Sequence, residues 1–202
     1  TYKSLGGVHY DYDENGHLAG ANSDIDIDLS KLSSDTLRNE INEIYNSFME
    51  SWKPKEDDGE PEEPPVSLAG NHLILKGAIT IGRELAGVDN FKYITVTTTE
   101  YEIIHGRALA QKTISETSLI VTDSTGKEAR FVTTIITTTL RNEDGTLNGQ
   151  EIITIENIGG QEFKTKVVRL YIRDENEKIE GYDDFIYELL PGVGTNTGEG
   201  ED

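Results

Sequence analysis

Between Phe91 and Arg141 the chain reads FKYITVTTTEYEIIHG, then RALAQKTISETSLIVT, then, after DSTGKEA, RFVTTIITTTLR, with no proline. Threonine, isoleucine, valine and tyrosine suit a pleated, half-buried surface. A proline would remove a ladder hydrogen bond, and none interrupts the run. Three long antiparallel strands are predicted here, and the flanking sequence extends the pattern. Strands are expected near 71–82, 91–104, 107–122, 129–141, 149–157 and 162–173. YDDFIYELL at Tyr182–Leu190 reads as a last strand or a short helix. Turn signals at Asp123–Gly126, Asn142–Gly145 and Asn157–Gly160 separate the runs. The spacings suit hairpins and leave no room for crossover helices. So many strands must curl or fold over to bury their apolar sides. The expected fold class is mainly β: an antiparallel meander closing as a β-sandwich or barrel, with one N-terminal amphipathic helix packed on it.

That helix is predicted over residues 34–52. Leu37, Ile41, Ile44, Tyr45, Phe48 and Trp52 fall on one apolar stripe. Ser33, Ser34 or Asp35 can cap its start, and Pro54 closes its end. The chain then divides into an N-terminal hairpin, acidic strand and helix (1–53), an acidic Pro-rich linker (54–65), an antiparallel β domain (66–190) and a flexible acidic tail (191–202).

Charge follows the same division. The net charge is −20, yet residues 66–173 hold twelve acids and twelve bases, so the excess lies in the flanks. Such a surface repels phosphate backbones, which argues against nucleic-acid binding. No apolar run approaches the ~20 residues of a membrane-spanning helix. With no cysteine there is no disulfide, thiol catalysis or cysteine-ligated metal.

Several motifs bear on chemistry. Tyr10, Tyr12, Asp13, Gly16 and Leu18 lie in a predicted hairpin over residues 8–19 and resemble one YD (Rhs-type) repeat. The similarity covers nine residues without a second copy, so the array architecture of that family is not implied. Asp11, Asp13, Asn15 and Gly16 also match the opening of a calcium loop, D-x-D-x-N-G. The bidentate glutamate of an EF-hand is replaced by Asn22, which rules out that motif and leaves a simpler site. Strand alternation over SDIDIDL puts Asp24, Asp26 and Asp28 on one face and Ile25, Ile27 and Leu29 on the other. Asp11, Asp13, Asn15, Asp24, Asp26 and Asp28 are thus the expected Ca2+ ligands, against a plain solvated edge strand. The same row resembles the E-I-D-I-E strand of laminarinase-like glycoside hydrolases. That resemblance implies a carboxylate pair about 5–5.5 Å apart, but aspartates shorten its reach and Trp52 is the only tryptophan.

His9 and His17 could face each other across the hairpin as metal ligands, and Glu100, Glu102 and His105 could form an acid/base group. Nucleophile elbows, phosphate loops and dinucleotide fingerprints are absent. Thr95, Thr97 and Thr99 share one strand face, as do Thr133, Thr137 and Thr139 on another strand. Such ladders stiffen a sheet, and they suit an ordered-water face or a docking surface for a partner strand. The expected function is a non-enzymatic extracellular or surface structural or adhesion protein, secreted, periplasmic or on the cell surface. It would self-assemble or dock a protein partner through β-strands, with calcium stabilising the acidic loops. The alternatives are a small apolar-ligand carrier built on a barrel cavity and a virion or tail component.

Overall fold

The computed structural model describes residues 2–52, 54, 63–86, 89–158 and 161–189. The N-terminal part contains β1 (Tyr2–Leu5), β2 (His9–Tyr12), β3 (Leu18–Asn22), β4 (Asp24–Asp28) and helix α1 (Asp35–Met49). There follow β5 (Val66–Ala69), β6 (His72–Lys76), β7 (Ala78–Ala86), β8 (Asp89–Ile104) and β9 (Arg107–Thr122). The chain continues through β10 (Glu128–Arg141), β11 (Leu147–Ile158), β12 (Gln161–Arg173) and β13 (Ile179–Leu189). One antiparallel sheet runs β1-β7-β8-β9-β10-β11-β12-β13, with the β2–β3 hairpin joined to it where Asn22 pairs with Glu100. A second, three-stranded sheet runs β4-β6-β5. The protein is therefore mainly β with one helix, as the threonine- and isoleucine-rich runs predict. Most of the 54–65 linker, the Gly159–Gly160 turn and the 191–202 tail lie outside the described residues.

The hydrophobic core sits at one end of the large sheet. Ile41, Ile44 and Phe48 of α1 pack with Ile79, Ile81 and Ile94 of β7 and β8, and with Val66, Leu73 and Leu75 of the small sheet. Ile25 and Ile27 join from β4, while Asp24 and Asp26 point to water, as the alternation of that strand requires. Ser34 caps the helix, its Oγ accepting from the Leu37 N–H at 3.2 Å. Leu37 itself stays 45% exposed, because the stripe begins before the helix reaches the core.

The predicted strand over 71–82 is two strands in different sheets. Gly77 separates them, with φ +90° and its Cα so close to β8 that a Cβ would lie 2.4 Å from the Thr97 carbonyl oxygen. Only glycine takes that conformation without cost. Of the two expected closures the barrel is not formed, since β1 and β13 are the two ends of the large sheet and do not pair. The helix and small sheet cover the β1-β7-β8 end and reach β9 at Ile120, and no strand order returns β13 to close the ring.

Four hairpin turns share one design. In Asp13–His17, Asp123–Lys127, Asn142–Thr146 and Asp174–Lys178 the first N–H donates to the fifth carbonyl, and the fourth N–H donates to the first carbonyl. This is a type I turn closed by a left-handed residue. Gly16, Gly126 and Gly145 occupy that position with φ of 79–82°, whereas the last turn has Glu177 at φ 65°. A side chain there costs about 1 kcal/mol. Glu177→Gly should therefore stabilise the protein by about 1 kcal/mol in urea unfolding. No gain would show that this turn is unstrained.

Candidate interaction surface

The sequence-predicted ligands are distributed among local partners. Asp13 Oδ1 accepts from the Asn15 and His17 N–H groups at 2.9 and 2.8 Å, and Oδ2 lies 3.3 Å from His17 Nδ1. Asp123 and Asp174 make the same backbone bonds in their own turns. The calcium-loop pattern thus coincides with the turn design of this sheet. Asp11 pairs with His9 at 3.2 Å. Asp24 stands opposite Lys76 in the strand register, and Asp26 lies 2.9 Å from His72 Nδ1. Asp28 accepts from the Ser30 N–H and Oγ and lies 3.3 Å from Lys31 Nζ. Asn15 is exposed at the hairpin tip. Among the described residues no three of His, Cys, Asp and Glu converge as a metal-holding group. His9 faces Asn22 across the hairpin rather than His17, because the turn places His17 outside the ladder. Glu100 pairs with Lys112 at 3.6 Å, while His105 occupies the tight β8–β9 turn at φ 50°.

What the structure does bring together is a broad sheet surface. From β9 to β13, only Ser118 and Gly149 are buried among the described residues. Both faces carry apolar groups. On the α1 side, Ile114, Ile136 and Ile153 form a row across three strands, continuing the face of the core beyond the reach of the helix. On the opposite side Phe131, Ile135 and Phe163 are each at least 40% exposed. The last strand exposes most, with Ile186 at 69% and Phe185 at 47%.

Polar pairs hold this single layer. The two threonine ladders lie on the same face, bridged by Thr113, Ser115 and Thr117 of β9. Their hydroxyls meet at 2.9 Å (Thr95–Thr117), 3.0 Å (Thr97–Ser115) and 3.5 Å (Thr99–Thr113). Ser4 and Thr80 add a fourth pair at 2.9 Å on β1 and β7. Each cross-strand pair contributes roughly 0.2–1 kcal/mol. Further out, Lys166 meets Glu151 at 2.6 Å. Arg169 donates twice to Asp184, both at 2.8 Å, with its guanidinium 3.9 Å from the Tyr182 ring centre. A row of apolar residues on both sides of β10 was the sequence signal for this openness: Val132 and Ile136 on one face, Phe131 and Ile135 on the other.

The carboxylates have a measurable consequence. Donation from the His17 backbone holds the Asp13 carboxyl below its ordinary range, and the Thr125 hydroxyl does so for Asp123. Asp184 is lowered by its bond from Arg169. Because the folded values lie below the unfolded value of about 4, the unfolded chain binds more protons between them. Stability should then fall as pH drops through the carboxylate range. Asn at positions 13 and 123 keeps the turn acceptor and cannot titrate. Urea midpoints of the Asp13→Asn, Asp123→Asn double variant should decline less steeply on acidification than those of the parent; an identical decline would contradict this origin. In comparison with known proteins, the chain matches no family model, no curated protein and no solved structure.

Proposed function

We propose that this is a non-enzymatic structural or adhesion protein that works by assembly, its open sheet being completed by further copies of the same chain. The observation that carries this reading is the missing second layer over β10–β13 among the described residues. Domains bury sheet faces against another layer, and here the helix and small sheet serve the β1-β7-β8 end and reach β9 at Ile120. A strand of 12 residues, as in β11, is about 40 Å long, and four strands at about 4.8 Å spacing make a face near 770 Å². That is comparable to the ~800 Å² per partner of a stable protein interface. Monomeric proteins rarely leave contiguous apolar surface larger than a few hundred Å².

The threonine ladders fit the same role. They stiffen the sheet without needing a core, so the surface is formed before any partner arrives. The acidic loops are accounted for by turn and strand chemistry, and the reading requires no calcium at Asp11, Asp13 or Asn15.

Sedimentation velocity over a dilution series, in calcium and in chelator, tests the proposal. The weight-average sedimentation coefficient should rise with concentration equally in both. Substituting Phe131→Lys and Phe163→Lys should lower it at high concentration without changing the melting temperature much. A monomer at every concentration would contradict the reading.

A further inference from the structure

The two ends of the large sheet are unlike. β1 is four residues long, and its Lys3 is tied to Glu43 of α1 at 2.7 Å, so helix and charge blunt that end. β13 runs for eleven residues with no strand on its outer side among the described residues. Around its middle, the register with β12 puts Asp183, Phe185 and Tyr187 on the α1 side of the sheet, and Tyr182, Asp184 and Ile186 on the other. Resting on the assembly reading above, we propose that β13 pairs antiparallel with β13 of a second copy, with Phe185 on the two-fold axis.

The choice of register follows from charge. In a two-fold antiparallel seam, residues that face each other must lie on the same side of the sheet, so each possible centre fixes every pair. Centring on residue 183 or 184 places Asp183 or Asp184 against its own copy, and like charges directly opposite destabilise a ladder. A centre at 182 sets Asp184 against Glu180, and one at 186 sets it against the acidic position 188. Centres at or outside 181 and 187 pair fewer than half of the strand's residues. Centring on Phe185 sets no like charges directly opposite: Phe185 meets its copy, Asp184 meets Ile186, Asp183 meets Tyr187, and positions 181–189 are all paired. Asp184 keeps Arg169 within its own chain. The seam covers Phe185, Ile186 and Tyr187, three of the exposed large side chains of this sheet. Because the contact is isologous it closes on itself, giving a dimer with one continuous sheet rather than an open fibre.

The absence of native cysteine allows a direct test. Single Phe185→Cys, Ile186→Cys and Asn15→Cys variants are oxidised mildly and scored for disulfide-linked dimer. Directly opposite Cβ atoms lie about 4.5–5.5 Å apart and diagonal ones about 7–8 Å, and a disulfide needs about 3.5–4.5 Å. Phe185→Cys should therefore link several-fold faster than Ile186→Cys, and Asn15→Cys, at the exposed tip of the β2–β3 hairpin, should not link. In parallel, Phe185→Lys with Ile186→Lys should lose the dimer in sedimentation while retaining the parent melting curve, since both sites are exposed. Faster linkage at 186 than at 185 would overturn the register. If the parent self-associates but neither the cysteine nor the lysine variants at β13 respond, the seam lies elsewhere and this proposal falls while assembly stands. If the parent is monomeric throughout, assembly itself falls and the seam with it.

Discussion

The contact between Phe48, Ile44 and Ile41 of α1 and Ile79, Ile81 and Ile94 of the sheet is what the rest of the molecule depends on. It is the place where the long meander meets a second layer drawn from its own chain, together with Val66, Leu73 and Leu75 of the small sheet. Phe48, Val66 and Leu75 are completely buried there, so the dry interior is real but small. β9 still touches the core through Ile120, and the strands from β10 outward are attached to that anchor by hydrogen-bonded ladders and side-chain pairs. Such pairs are individually modest, and they leave the faces wet. The architecture thus combines a compact, ordinarily packed end with a broad projecting sheet.

Much of this was legible in the sequence, for identifiable reasons. The long strands announce themselves through β-branched runs that nothing interrupts, and α1 through the spacing of Ile41, Ile44 and Phe48. The hidden parts depend on register and on tertiary position. That the threonines of β8 and β10 share a face follows from the two-residue His105–Gly106 turn, the register shift between Glu100 and Tyr101 and the five-residue Asp123–Lys127 turn acting together. The split at Gly77 looked like the middle of one strand because its neighbours alternate well. The turn before β13 was missed because Glu177 stands where the other three turns have glycine. A sandwich or barrel is expected because apolar strand faces need cover, and strand pattern alone does not decide between them.

The acidic motif around Asp13 carries a related lesson. D-x-D-x-N-G has the donor atoms of a cation loop, yet the carboxylate at its centre is bonded to its own backbone, as Asp123 and Asp174 are in theirs. The same backbone bonds recur in three turns along the sheet, so the motif's residues also serve the turn itself. The charges that matter to the exposed sheet are instead those within it: Glu151 with Lys166, and Asp184 with Arg169. They satisfy polar groups on a surface that otherwise offers Phe131, Phe163 and Phe185 to whatever covers it.

Residue-resolved amide hydrogen exchange at low and high protein concentration tests the central claim most directly. A single-layer sheet completed by association should show β10–β13 exchanging faster than α1, β7 and β8 when dilute, with protection of the outer strands rising as concentration increases. Outer strands as protected as the core at high dilution, and insensitive to concentration, would show that the lone chain needs no second layer and would contradict the account.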